Sequence, residues 1–207
     1  MNELIIVNYG MGNIGSIVNM IRKIGYSAKI SSDYRLLKKA DKIILPGVGH
    51  FDRAMYNLKK LDLIDVLQER AIQDNIPTLG ICLGMHLLCK FSEEGTSDGL
   101  SIINAHVEKF KFDPKQNYKI PHMEWNTVTV VNDHEIFIDN DQLTRFYFAH
   151  SYHTVCANSE DVLTTTNYGY DFPSSICKGN VIGVQFHPEK SHKYGMQLLK
   201  RFIELPV

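Results

Sequence analysis

Ile76-Pro77-Thr78-Leu79-Gly80-Ile81-Cys82-Leu83-Gly84 is the stretch on which the fold turns. Residues 76–82 form a run of strand length, and at Leu83-Gly84 the pattern breaks into a helix, so a buried strand feeds a helix through a cysteine. The form is G-x-C-x-G, the thiol counterpart of the G-x-S-x-G nucleophile elbow. Each part has a physical reason. The sharp turn lifts the cysteine out at the carboxyl edge of a sheet, the glycines let strand and helix approach, and the first amides of the helix point at the sulfur. Those amides and the helix dipole favour a thiolate, and the N–H of Leu83 is placed to meet an oxyanion. A cysteine taken at random is more often buried and inert. Cys89, on the core face of the same helix, fits that plainer reading, as do Cys156 and Cys177 in strand patterns without flanking glycines.

Upstream, strands and helices alternate. Leu4-Ile5-Ile6-Val7 is a first apolar strand; Ile14, Ile17, Val18, Ile21 and Ile24 recur at helical spacing before Gly25 closes the segment. A second strand fits residues 27–31 and a third residues 42–45, ending at Pro46-Gly47. Met55, Leu58, Leu63, Val66 and Leu67 then suggest one or two helices. Such alternation implies an α/β domain with a largely parallel sheet, because parallel neighbours need crossovers. Downstream the pattern changes to strand-like segments at residues 127–131, 146–155, 162–166, 174–178 and 181–187. A last amphipathic helix carries Leu198, Leu199, Phe202 and Ile203. The expected architecture is three-layered, a mixed and mostly parallel sheet flanked by helices. No repeat or linker marks a boundary, so residues 1–207 read as one domain.

Composition narrows the function. The chain has 22 Lys+Arg against 23 Asp+Glu, a net charge of -1, so no basic excess exists to neutralise a phosphate backbone, and nucleic acid is not the expected partner. The apolar run at residues 4–7 is too short for a secretion signal or a membrane span, which points to a cytoplasmic protein. The four cysteines form no C-x-x-C pair, so neither a disulfide framework nor a metal site is expected, and no cofactor.

One motif pulls another way. Gly10-Met11-Gly12-Asn13-Ile14-Gly15 matches G-x-G-x-x-G between a strand and a helix, with Asp33 placed for a ribose, as in a dinucleotide-binding oxidoreductase. Equally, the glycines let the chain turn sharply while Asn13 caps the helix, a need any α/β domain has. On this motif alone both readings stand.

A thiol nucleophile needs a base, and the base an orienter. His187 ends the strand-like run Val181-Ile182-Gly183-Val184-Gln185-Phe186 and is followed by Pro188-Glu189. Residues two apart on an extended chain face the same way, so Glu189 can hold the imidazole in one tautomer, with Pro188 keeping the segment extended. His50, His106, His134, His153 and His192 read as surface or core residues.

Taken together, Gly80 to Gly84 and Gly183-Val184-Gln185-Phe186-His187-Pro188-Glu189-Lys190-Ser191 resemble the class I glutamine amidotransferases, whose fold is flavodoxin-like. More narrowly, Asn8 to Asn13, Leu45-Pro46-Gly47-Val48-Gly49, Pro121-His122-Met123 with Trp125-Asn126, and Tyr147 to Tyr152 resemble the glutaminase subunits of imidazole glycerol phosphate synthase. That family carries the Tyr-Gly-x-Gly-Asn turn without binding a dinucleotide. The resemblance implies a triad of Cys82, His187 and Glu189, and an oxyanion hole from Val48, Gly49 and Leu83. It implies a glutamine pocket lined by Gly49, His86, Ser151 and Tyr152. It further implies that ammonia passes to a cyclase-like β/α-barrel partner docking on Asn13, Pro121, His122, Met123, Glu124, Trp125 and Lys190. Two positions depart from the family pattern: His86 stands where glutamine is usual, and Glu124 where glycine is usual. They suggest a paralogue that supplies ammonia for nucleotide-sugar amidation, or a non-catalytic regulatory subunit that kept the fold.

Overall fold

A computed structural model describes residues 3–113, 115, 117–138 and 144–207. In chain order the strands are β1 Leu4–Val7, β2 Lys29–Ser31, β3 Lys42–Gly47, β4 Thr78–Cys82, β5 Ala105–Lys109, β6 Trp125–Thr127, β7 Thr129–Val130, β8 Arg145–Tyr147, β9 Tyr152–Cys156, β10 Val162–Tyr168, β11 Tyr170–Lys178 and β12 Val181–Val184. The helices are α1 Ile14–Lys23, α2 Tyr34–Leu37, α3 Phe51–Lys60, α4 Ile64–Gln68, α5 Leu83–Leu88 and α6 His192–Glu204. Eight strands form one sheet in the order β2-β1-β3-β4-β12-β11-β10-β7. From β2 to β12 neighbours run parallel; from β12 to β7 they run antiparallel. The sheet is therefore mixed and mostly parallel at its catalytic end, as the element pattern implied.

The side chains on successive strand residues point to opposite faces, and this divides the core. Ile5, Val7, Ile43 and Leu45 pack against Phe51, Leu58, Val66 and Leu87 on one face. Ile6, Ile44, Leu79 and Ile81 pack against Ile17, Ile21, Leu198, Leu199 and Phe202 on the other. Each such buried aliphatic side chain contributes about 1.5–3 kcal/mol relative to exposure. Lys42, the one fully buried lysine among the described residues, donates to the carbonyl of Leu205 beyond α6, so its charge is hydrogen-bonded and ties the end of α6 to the sheet.

Strand order settles the role of the glycine-rich turn. A dinucleotide-binding sheet has the order 3-2-1-4-5-6, whereas β1 here lies between β2 and β3, the flavodoxin-like arrangement. The turn after β1 instead seats Tyr9 beneath β3: its hydroxyl donates to the carbonyl of Pro46 at 2.6 Å, and Asn57 Nδ2 donates to the Tyr9 carbonyl at 2.9 Å. Asn13 makes no side-chain capping bond to α1, contrary to expectation.

Other differences have local causes. The second strand is shorter than residues 27–31. The expected strand over residues 146–155 is two, β8 and β9, because the segment changes partner: β8 pairs with β6, in a register that continues to a bridge between His150 and His122, and β9 pairs with β5. β12 stops at Val184, and residues 188–190 form a 3-10 turn rather than an extended segment. Cys89 lies just beyond α5, in extended conformation, though fully buried as expected.

Candidate active site

The elbow is built by close backbone approach. A Cβ on Gly84 would lie 1.9 Å from the Leu45 carbonyl oxygen, and one on Gly80 2.7 Å from that of Gly84, so neither position admits a side chain. Cys82 itself has φ 53° and ψ -110°, a left-handed conformation for a residue with a Cβ. Such a geometry costs about 1–3 kcal/mol and persists only where the surroundings enforce it. The sulfur thereby emerges at the carboxyl ends of β3, β4 and β12, beside the topological switch point where ligands bind in open α/β sheets.

His187 lies 105 positions downstream of Cys82, yet β4 and β12 are hydrogen-bonded neighbours and carry the two residues to the same edge. The Nδ1 of His187 bonds Glu189 Oε1 at 2.9 Å across the 3-10 turn, with both side chains almost wholly buried. Burial alone would pull the imidazole down. The negative charge and hydrogen bonding of the Cys82 sulfur, reinforced by Glu189, overcome it and push His187 up to about 10. Gln185 Nε2 also faces the sulfur, at 3.9 Å, and its Oε1 meets His86 Nε2 at 2.8 Å. Burial pushes the thiols of Cys89, Cys156 and Cys177 up, the last two to about 12.

A cavity of about 390 Å³ opens over the sulfur, lined among others by Val48, Gly49, Leu83, His86, Ser151 and Tyr152. Its size suits a small amino acid. Every residue expected for the glutamine pocket and oxyanion hole therefore meets at one place. Gly49 has φ +111°, a backbone conformation that residues with a Cβ rarely adopt. Glu94, which nothing in the sequence singled out, also lines the cavity. Its carboxylate accepts from the amide of Phe51 at 3.0 Å, and burial pushes its pKa up. Two adjacent glutamates in a polar loop read as solvated, and only the fold turns Glu94 inward.

The expected docking residues divide. Asn13, Pro121, Met123, Glu124, Trp125 and Lys190 are exposed. Pro121, Met123 and Lys190 also line the mouth of the cavity. Trp125 stacks on His192 with ring centroids 5.6 Å apart, and Lys190 Nζ lies 5.5 Å over the ring of Tyr147. His122 corrects the expectation: it is 0% exposed and bonds His150 at 3.1 Å, so its side chain cannot touch a partner. Among the described residues no group of His, Cys, Asp or Glu is arranged to hold a metal ion, and no helix is long and apolar enough to cross a membrane.

A strand-to-helix elbow carrying a cysteine, with a His and a Glu brought beside it from the end of the neighbouring strand, is the arrangement of an amidotransferase fold. The family model "Glutamine amidotransferase class-I" matches residues 5–205, and the chain belongs to that family. Among its relatives, "Imidazole glycerol phosphate synthase subunit HisH 2" of Methanococcus maripaludis is 52% identical, over 96% of this chain and 98% of the relative. The protein of the same name from Pseudomonas aeruginosa is 43% identical, over 98% and 99%. Of solved structures, PurLQS from Thermotoga maritima superposes with a TM-score of 0.72 at 16% identity, covering 98% of this chain and 97% of that one. A glutamine amidotransferase from the same organism gives 0.64 at 20% identity, covering 98% and 81%. At such identities these structures establish the fold.

Proposed function

We propose that residues 1–207 form one cytoplasmic glutaminase domain that hydrolyses glutamine to glutamate and ammonia through Cys82, His187 and Glu189. On this reading it is the ammonia-supplying subunit of an imidazole glycerol phosphate synthase in histidine biosynthesis, and its partner is a cyclase-type β/α barrel. The buried imidazolium of His187, held between Glu189 and the Cys82 sulfur at the floor of the cavity, carries the proposal. Relatives bearing the synthase subunit's name over nearly the full chain support the pathway.

The chemistry follows from the arrangement. The Cys82 thiolate adds to the carboxamide carbon, and the resulting oxyanion is received by the Leu83 N–H and the backbone of Val48 and Gly49. Each such donor supplies about 3 kcal/mol of transition-state stabilisation. The His187 imidazolium gives its proton to the departing ammonia, leaving a thioester and a neutral imidazole. That imidazole takes a proton from water as the water adds to the thioester, and the carbon–sulfur bond breaks to give glutamate and the thiolate. Glu94 offers a carboxylate to the α-ammonium of the substrate, while Ser151 and Tyr152 line its other side. Ammonia would be lost to water without a receiver. The exposed Met123 and Trp125, beside a mouth rimmed by Val48, Pro121 and Lys190, suit a docked partner that caps the cavity.

The test uses diazo-oxonorleucine, a glutamine analogue that alkylates amidotransferase cysteines. In the presence of the barrel partner it is expected to add covalently to Cys82, read by peptide mass spectrometry; an unmodified Cys82 in that complex contradicts the proposal. A second reading keeps the chemistry and changes the acceptor to a nucleotide sugar. Glu124, exposed on the docking face where the family pattern has glycine, favours it through a changed partner. Ammonia-dependent turnover of each acceptor by the complex separates the two.

A further inference from the structure

His86 occupies a position one turn beyond Cys82 on α5, lines the cavity, and is 4% exposed. Its Nε2 is spent on Gln185, a side chain just past the end of β12 that is itself 0% exposed. Gln185 in turn is the group whose amide faces the Cys82 sulfur. Three buried side chains, from the end of β4, from α5 and from just past β12, thus form one line, His86 to Gln185 to Cys82.

The sense of the line matters, because a carboxamide has a donor end and an acceptor end. Burial pulls His86 down to about 4, so the ring is neutral near pH 7 and carries a single N–H. With that proton on Nε2, His86 donates to Gln185 Oε1, and the NH2 end of the amide is turned to the sulfur. The opposite sense would set the His86 N–H against the NH2 of the amide, two donors facing each other in a desolvated site. The His86 N–H therefore selects the orientation in which Gln185 Nε2 faces the sulfur.

We propose that His86 is a positioning residue for the nucleophile: by donating to Gln185 it locks the amide so that Gln185 donates to the Cys82 sulfur. The proposal rests on Cys82 being the nucleophile. It gives His86 a duty beyond lining the substrate pocket, and it accounts for a ring standing where the family pattern has glutamine, since a glutamine side chain can also donate to Oε1. The charged and titratable groups around the line are His187 and Tyr9 next to the sulfur, and His150 and His153 next to His86. None of these is altered by the test.

The experiment compares wild type, His86→Gln, His86→Leu and Gln185→Glu. Two readouts are taken: kcat and KM for glutamine in the complex with the barrel, and the pH profile of Cys82 alkylation by iodoacetamide in the full chain without substrate. A hydrogen bond to a charged group being lost, His86→Leu is expected to lower kcat about 10–100-fold. KM should change far less, and the alkylation profile should move to higher pH by about one unit. His86→Gln is expected to restore both to near wild type. Gln185→Glu, which puts an oxygen against the sulfur with His86 intact, should move the profile in the same direction and tests the line even if His86→Leu does not fold. A raised KM with unchanged kcat and an unmoved alkylation profile in both variants overturns the proposal and leaves His86 as a pocket wall. A wild-type complex without glutaminase activity overturns the underlying reading as well, which distinguishes the two failures.

Discussion

Two regions of the molecule bury histidines and treat them in opposite ways. At the carboxyl edge of the parallel strands, His187 is surrounded by two negative groups, Glu189 and the Cys82 sulfur, and is pushed up to about 10. In the antiparallel wing, His122, His150 and His153 pack among Phe110, Phe172, Tyr168 and Tyr170, and burial pulls all three down, His122 to about 4. The hydrogen-bond partners in the wing are uncharged, and the carboxylates near it, Glu124, Glu93 and Glu108, reach solvent. His150 Nδ1 donates to the Tyr152 carbonyl at 2.7 Å, which leaves Nε2 to accept from His122 Nδ1 at 3.1 Å and His122 Nε2 to face Asn126 at 3.4 Å. Both regions exclude water to a similar degree. Burial therefore sets the default, a neutral ring, and only a desolvated negative partner reverses it.

The largest effect expected from breaking this contrast is Glu189→Gln. Removing the carboxylate while keeping its shape should pull His187 down towards the wing histidines and lower kcat about 10⁴-fold, as loss of an orienting carboxylate does in other triads. The alkaline limb of the pH–rate profile should move to lower pH with it. An unchanged limb would mean that Glu189 does not charge the ring.

Stability against pH should show the contrast as two slopes of opposite sign. The wing histidines and His86 bind fewer protons folded than unfolded, so stability rises with pH from about 4 to 6.5 by an order of a few kcal/mol. His187 binds its proton more tightly when folded. Its contribution is complete below 6.5 and is lost as pH climbs towards about 10. Urea midpoints measured across this range should peak near 6.5, and a curve that keeps rising past it would contradict the assignment of His187.

The smallest effect sharpens the comparison. Glu124 Oε1 stands 3.6 Å from His122 Nε2, but its side chain is 55% exposed, so water screens it and His122 stays neutral. Glu124→Gln should change stability by less than about 0.5 kcal/mol. A drop of a kilocalorie or more would show that a screened carboxylate does reach the buried ring.

What could be read from sequence divides along the same line. The elbow was legible because Gly80, Cys82 and Gly84 are adjacent and each answers a local demand, and the alternation of β1 to β4 with helices fixed the parallel half. His187 and Glu189 were legible as a pair two residues apart, although the geometry that joins them is a 3-10 turn. The wing was harder. Residues 146–155 have the composition of one strand, but the segment exchanges its partner at His150, from the β6 side to β5, as it passes the cavity, and partner choice is not written in local propensity. His122 sits between exposed Pro121 and Met123, so nothing local reveals that it points inward. Gln185 and Glu94 gain their meaning only from groups 103 and 43 positions away, the Cys82 sulfur and the backbone amide of Phe51.

The central claim is that the Cys82 sulfur and Glu189 together hold His187 as a buried imidazolium. Nitrogen-15 NMR titration of histidine side chains, in wild type and in Cys82→Ala, reads this directly. The account expects His187 to remain protonated well above pH 8 in wild type, alone among the buried histidines, and to titrate at markedly lower pH once the sulfur is gone. A His187 that titrates at or below 6.5 in wild type, or that is indifferent to loss of the sulfur, would contradict it.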